Sequence, residues 1–531
     1  MAAVERSARL VFWGVFLFLF LAGVLPILLL VVKTFWQNGH LQLAFFRDFL
    51  FTGRQAGLLA NSLMLALLTS LLAVLLGTAL AVLVSRTDLP LRPFFAGLMS
   101  IPLVLPPYIT AITWFYLTGR SGWLGPLAER LHLAGAFTGF WACVWVLTLA
   151  FLPIVMLLAM VFLRMIDPEL EEAARLEAGW RDILRYVTFP QIAPGIAAGG
   201  VLVFLLTLAE FSVPLFFRYN VFSMESFIQF SAFLNEQAAT AAALPLGLMA
   251  LLVVLLEEHF LKEQVVEIQP RYRLQEYITV RLGKLRLPLL VATALFAGAA
   301  VLLPLANTVR LSGGPGIYLK AISLAADSIG RSLLLGGAFA GLIAAAGFFC
   351  GYFVHFRLFG WRSLDTLTVF LFVMPGTVLG IGLIVLWNHP LTNLVYSTPI
   401  ILLLGLLAHY TVLSSRATAS ALHHISPALE DSARIDGATW GQRLRYIVLP
   451  VLWPGLAGSF LLAYLFVFRD LGLSMTVYPP GYDTLPVRTF TLMANSPQEI
   501  IAALTVVTAA LSLPVFGIVL WRAIAPTQSD R

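Results

Sequence analysis

Residues Pro427 to Pro450 read PALEDSARIDGATWGQRLRYIVLP, and residues Pro168 to Pro190 read PELEEAARLEAGWRDILRYVTFP. Laying Pro168 on Pro427 sets Glu171 on Glu430, Ala174 on Ala433, Arg175 on Arg434 and Glu177 on Asp436. With one residue dropped from the earlier copy, Trp180 meets Trp440, Arg185-Tyr186 meets Arg445-Tyr446, and Pro190 meets Pro450. Both stretches are charged islands in an apolar chain, so an internal repeat frames the whole sequence. Each reads as a short helix, a bend and a second helix at a membrane surface. Pro168 and Pro427 suit the first helical position, with Asp167 and Ser426 as N-caps. Glu169, Glu171 and Glu172 in one copy, and Glu430 and Asp431 in the other, load the first turn with the anions that its dipole favours. Gly179 and Gly437 allow the bend, and Pro190 and Pro450 are expected to stop the second helix before the next apolar run.

Composition sets the class. Of 531 residues, 60% are hydrophobic and only 11% charged, with mean hydropathy +0.91. A soluble domain cannot hide that much apolar surface, so the chain is read as an all-α polytopic membrane protein. Cys143 and Cys350 both fall in apolar runs and read as small core residues. The run Leu10–Val32 is too long for a signal-peptide core and reads as a retained span.

Apolar segments long enough to cross a bilayer fall at about 10–33, 56–85, 93–117, 138–163, 191–217 and 239–260. They resume at about 286–309, 326–356, 363–387, 398–422, 451–476 and 499–523. Each charged island lies between the fourth and fifth segments of its half, so about twelve helices form two parallel six-helix repeats. Asn61-Ser62-Leu63 and Arg331-Ser332-Leu333 open the second helix of each half as a weaker echo. The expected division is a first repeat over 1–260, a linker over 261–285 and a second repeat over 286–531. With the N-terminus inside, 22 Lys and Arg residues fall on the cytoplasmic side and 10 outside, with Arg469 inside a span. The positive-inside rule then puts both termini, both islands and the linker in the cytoplasm. The net charge of +6 follows topology, and no nucleic-acid partner is implied.

The islands resemble the EAA loop of binding-protein-dependent ABC importer permeases, written roughly E-A-A-x-x-x-G with L-P about a dozen residues on. That resemblance covers essentially the whole chain and implies the type I importer permease fold. It implies two copies of an ATP-binding subunit docked on the cytoplasmic side and a periplasmic or extracellular substrate-binding protein. Glu171 or Glu172 with Ala173, Ala174 and Gly179, and Glu430, Asp431, Ala433, Asp436 and Gly437, would be the coupling residues. Glu172-Ala173-Ala174 keeps the motif intact, whereas the second copy reads Glu430-Asp431-Ser432 and keeps the glycine register. The first copy, one residue shorter with its glycine displaced to Gly179, is expected to turn differently.

The chain itself carries no catalytic signature. Gly283-Lys284 lacks the rest of a phosphate loop, and no H-E-x-x-H occurs, so ATP and Mg would be bound by partner subunits and no cofactor by this chain. His423-His424, at a helix end, reads as complementing the dipole. Glu210 and Asp470 each lie twenty residues after the proline of their copy, at one register of the fifth helix. Intramembrane carboxylates are costly and face a cavity or a partner. Two readings stand side by side: a structural tie, or a cation-attracting lining of the translocation path. Around them, residues 208–228 and 469–490 resemble the ferric-iron-type permeases, the latter through Thr476, Pro479, Gly481, Asp483, Thr484 and Leu485. The resemblance implies ferric iron as cargo, with thiamine, polyamine or phosphonate as alternatives. A secondary transporter with internal repeats is the rival from another class, though such folds commonly use inverted repeats. A bacterial inner membrane is the expected location.

Overall fold

The computed structural model describes residues 2–37, 40–41, 52–130, 137–266, 279–423, 425 and 427–524. Ser426 and His424 therefore lie outside the described residues, as does the middle of the linker. Apart from a two-residue ladder pairing Trp36–Gln37 with His40–Leu41, regular structure among the described residues is helical.

Among the described residues, ten helices are long and apolar enough to cross a membrane, and two bent pairs add to them. In chain order these are α1 (Ser7–Phe35), α2 (Gly53–Arg86), α3 (Arg92–Val104 with Pro107–Thr118), α4 (Gly139–Met165), α5 (Trp180–Ala209) and α6 (Glu236–Val253). The second half repeats them as α7 (Gly283–Leu311), α8 (Pro315–His355), α9 (Trp361–Val373 with Gly376–Trp387), α10 (Ile400–Leu422), α11 (Trp440–Arg469) and α12 (Gln498–Ile518). The bent pair α3 starts beside the first residues of α7, where Leu282 N–H donates to Asp88 at 2.9 Å. It ends beside the last residues of α7, where Trp123 N–H donates to Asn307 at 3.3 Å. It thus covers the same depth as a straight crossing helix. The pair α9 likewise starts beside Arg9 near the start of α1, whose guanidinium lies 5.4 Å from the centre of the Phe359 ring, and its second arm packs on Leu25–Phe35 at the other end of α1. With α9 crossing, six spans separate the charged islands and both emerge on one face.

The sequence expects unbroken spans at 93–117 and 363–387, and the structure bends them by 105° and 102°. Proline is the cause. Pro106 and Pro107 have no N–H to offer the carbonyls four residues back, and neither has Pro375. In hydrocarbon such a carbonyl needs another partner. Leu103 O, freed by Pro107, accepts from the Arg469 guanidinium of the other half. Leu371 O, freed by Pro375, accepts from His409 Nδ1 at 3.0 Å.

Elsewhere prolines lie inside continuous helices. Pro190 and Pro450, expected to stop the second surface helix, lie inside the continuous helices α5 and α11. Each is preceded by a π-helical turn, Leu184–Thr188 and Leu444–Val448, where Phe189 N–H reaches Leu184 O and Leu449 N–H reaches Leu444 O. Widening the turn to five-residue bonding gives the prolyl ring the room a normal turn denies it. The same device precedes Pro26 and Pro304 in α1 and α7.

In each half the second, fourth and fifth helices pack as a triplet. Small residues set the spacing in the second half: a Cβ on Gly347 would come within 2.2 Å of Ser414, and one on Gly351 within 2.5 Å of the Ser415 carbonyl. The first helices are exchanged. Leu25–Phe35 of α1 packs on Gly376–Trp387 of α9, and Leu303–Leu311 of α7 packs on Pro107–Thr118 of α3. The halves also meet at paired positions: Leu205 and Ala250 against Val373, and Leu465 and Phe516 against Val104.

Candidate coupling segments and helix-break carboxylates

The first surface helix runs Pro168–Arg175, its N-terminus capped by Asp167, which accepts from Glu169 N–H at 3.0 Å. Glu171 and Glu172 point apart. Glu172 and Ala173 are exposed and Ala174 is half-buried. Glu171 is 2% exposed, and its carboxylate takes Arg86 at 3.1 Å and the Thr188 hydroxyl at 2.9 Å. Arg86 also donates to Leu163 O at 2.5 Å. The helix then ends without a left-handed residue. Ala178 N–H bonds Ala174 O at 2.9 Å, and Gly179 sits at φ −77°, ψ 163°, which any residue adopts. The Arg175 guanidinium lies 4.9 Å from the centre of the Trp180 ring.

The second surface helix runs Pro427–Ile435 and carries Glu430 and Asp431. Gly437 follows at φ +80°, with Ala438 N–H on Ala433 O at 3.0 Å and Gly437 N–H on Arg434 O at 3.2 Å. That is a Schellman cap, whose left-handed residue favours glycine. Thr439 and Gln442 then close a reciprocal capping box on the next helix. Asp436 is exposed, Ala433 is half-buried, and Trp440 is buried against Tyr352 with ring centroids 6.1 Å apart.

The repeat also presents three matched apolar positions to solvent that the sequence reading passed over. Leu170 pairs with Leu429, Leu176 with Ile435 (87% and 86% exposed) and Tyr186 with Tyr446. The signal was in the alignment itself, since each pair occupies one register. A cleft of about 420 Å³ opens beside the second copy, lined by Asp436, Gly437, Gln442, Arg443 and Tyr446. Nothing in the sequence pointed to Arg86.

Twenty residues of unbroken helix, about 30 Å, separate each surface segment from its carboxylate. The spans expected at 191–217 and 451–476 both break there. Glu210 follows the last residue of α5, and Asp470 follows the last residue of α11. Glu210 accepts from Ser212 N–H at 2.7 Å and from the Ser212 hydroxyl. Asp470, 7% exposed, accepts from Ser474 N–H and hydroxyl, each at 2.8 Å, and from Tyr410 OH at 2.8 Å. Each carboxylate therefore holds the turn that starts the next short helix, Ser212–Phe216 or Gly472–Val477. Arg469 lies within electrostatic reach of both carboxylates. The residues after the acids, Phe211 and Leu471, join Tyr108, Phe227 and Val487 in one cluster drawn from both halves.

Beyond the breaks, the weaker echo of the repeat acquires a purpose. Ser62 accepts from Phe222 N–H at 2.9 Å, and Ser332 accepts from Leu485 N–H at 2.7 Å. Asn61 donates to Asn220 O at 3.0 Å, and Arg331 donates to Asp483 at 2.9 Å. Both second helices thus pin the start of a short helix, Phe222–Ser231 or Leu485–Leu492. No group of three or more His, Cys, Asp or Glu side chains placed to hold a metal ion lies among the described residues.

Known proteins are similar to this chain in sequence. The Fe(3+)-transport system permease protein FbpB 2 of Haemophilus influenzae is 24% identical over 83% of this chain and 85% of its own. The ferric transport system permease protein FbpB of Actinobacillus pleuropneumoniae is 25% identical over 76% of this chain and 62% of its own. A putative 2-aminoethylphosphonate transport system permease protein, PhnV of Salmonella typhimurium, is 29% identical over 30% of this chain and 60% of its own. The family model of the binding-protein-dependent transport system inner membrane component matches twice, at residues 71–265 and 337–523. Those two regions take in most of the chain and include both surface segments and both helix breaks. The chain is a multi-pass membrane permease of the ABC-importer type, and it belongs to the binding-protein-dependent transport system inner membrane component family with the family domain present twice.

Proposed function

We propose that this permease imports ferric iron delivered by an external binding protein, driven by two ATP-binding subunits that dock on the surface segments and hold the ATP and Mg. Three relatives matched over most of this chain carry ferric or Fe(3+) transport in their names. The observation that carries the reading is the pair of carboxylates, Glu210 and Asp470, at equivalent helix breaks where the two halves meet. A trivalent cation crossing a low-dielectric constriction is stabilised by nearby carboxylates, and a neutral or anionic cargo is not.

The docking surface comprises Glu172, Ala173, Leu176 and Tyr186 from one copy, and Ile435, Asp436, Gly437 and Tyr446 from the other. Apolar side chains this exposed at matched positions suit burial against a partner. Lys and Arg distribution supports a cytoplasmic location for that face and for both termini. Hydrolysis of ATP belongs to the partners, and the chain contributes no catalytic group. The decisive experiment purifies the chain with its partners, reconstitutes it and follows uptake of radiolabelled ferric ion presented on the co-purified binding protein. ATP-dependent iron accumulation is expected. Uptake of 2-aminoethylphosphonate or thiamine in its place would overturn the cargo, and uptake driven by an ion gradient without ATP would overturn the energy source.

A further inference from the structure

Arg86 is the last residue of α2, and its guanidinium touches two other elements. One nitrogen meets Glu171 of the surface helix at 3.1 Å, and the other meets Leu163 O, a carbonyl in the final turn of α4, at 2.5 Å. The remaining oxygen of Glu171 takes the hydroxyl of Thr188, at the end of the π-turn that leads into the body of α5. Both charged side chains are 3% exposed. The backbone of Arg86 is used as well: Val280 N–H donates to Arg86 O at 2.7 Å, and Asp88 N–H donates to Val280 O at 3.2 Å. The chain entering α7 is thereby stitched to the same point.

We propose that Arg86 is a positioning residue for energy coupling: it binds the near ends of α2, α4 and α5 to the first surface helix, so that displacement of that helix moves the core triplet of its half as one body. The proposal rests on the reading that the surface helices receive the ATP-binding subunits. The second half offers a join of another kind. There the end of α8 meets its surface segment through Tyr352, Phe356 and Trp440, rings packed 4.7 to 6.1 Å apart. The physical difference is range. Contact between apolar rings is lost within an ångström or so of separation, whereas attraction between buried charges falls only as the inverse of distance. An ion pair therefore transmits a pull as well as a push. Because Glu171 is consumed internally, the outward face of the first helix is left to Glu172, Leu176 and Tyr186.

The test uses the full permease with its ATP-binding subunits and binding protein in proteoliposomes, comparing the native chain with Arg86→Gln, Arg86→Lys and Thr188→Val. The main readout is ferric ion transported per ATP hydrolysed, because a chain that is merely less stable loses both in proportion. Arg86→Gln is expected to lower this ratio about tenfold while the ATP-binding subunit still co-purifies. Arg86→Lys should recover a substantial part of the loss, and Thr188→Val should cost two- to threefold. The second readout needs no cargo: spin labels at Leu176→Cys and Arg164→Cys, both exposed positions, report the distance between the surface helix and α4. A narrow distribution in the native background should broaden in Arg86→Gln. An unchanged ratio with an unchanged distance distribution in an assembled Arg86→Gln complex would overturn the proposal, as would loss of the ATP-binding subunit from that variant alone. If the native chain binds no ATP-binding subunit, the docking reading is what fails, and the spin-label distances still decide whether Arg86 fixes the helix.

Discussion

The two surface segments have one register and two constructions. The first is held from within by charge, through Glu171, Arg86 and Thr188, and turns without needing its glycine. The second is held by rings, through Trp440 and Tyr352, and turns through a left-handed Gly437 followed by a capping box. Yet the outer positions, Leu170 and Leu429, Leu176 and Ile435, Tyr186 and Tyr446, match in type and exposure. At these positions what faces outward is repeated, while the inner contacts described above differ. Matched outer surfaces are what docking on two equivalent partners, as proposed above, would need, whereas each inner surface needs only to fit its own half.

Charge reversal should separate the two copies most sharply. Glu171→Lys sets a second cation beside Arg86 in a buried site, and breaking such a pair costs about 3–5 kcal/mol. Expression and thermal stability of the permease should fall with it. Glu430→Lys is expected to lower transport and co-purification of the ATP-binding subunit, with a smaller loss of permease stability than Glu171→Lys. Equal stability losses in both variants, measured by thermal aggregation in detergent, would break the comparison.

The carboxylates extend it to the opposite ends of the same helices. Asp470 is held by three donors on Ser474 and Tyr410, and Glu210 by two on Ser212. Hydrogen bonds to charged groups are worth about 1.5–3 kcal/mol each. Asp470→Asn should therefore destabilise more than Glu210→Gln, and the double variant should lose most ferric uptake while still binding its ATP-binding subunits. Full uptake by an assembled double variant would leave the acids as turn-holding groups alone.

The smallest expected effect tests the turns. Gly437→Ala forces a side chain into the left-handed region and should cost about 1–2 kcal/mol. Gly179→Ala, at an ordinary φ with open space around its Cβ position, should be neutral or slightly stabilising. Denaturation midpoints of the two variants settle this, and a penalty at Gly179 equal to that at Gly437 would remove the asymmetry.

Sequence alone determined the class, the helical membrane character and the duplicated plan, because composition and a long internal match are properties of the chain itself. It also marked the one-residue difference between the copies, since a deletion beside a glycine forces a different turn. It misjudged proline in both directions. Pro190 and Pro450 do not stop their helices, while Pro107 and Pro375 bend theirs by more than 100°. Local sequence removes the same donor in each case; a π-turn makes room for the ring at Pro190 and Pro450, and at the two bends the freed carbonyl meets a partner from elsewhere in the chain. For Leu103 that partner is Arg469, 366 residues away, and for Leu371 it is His409, 38 residues away. The inward turn of Glu171 had the same kind of cause. Sequence gave two adjacent glutamates and no way to choose, and only the arrival of Arg86, 85 residues earlier in the chain, at the same buried point assigned one to the core and left the other to the surface. Such assignments belong to tertiary structure because a buried polar group takes whichever partner the fold brings within reach, and sequence spacing does not record that distance.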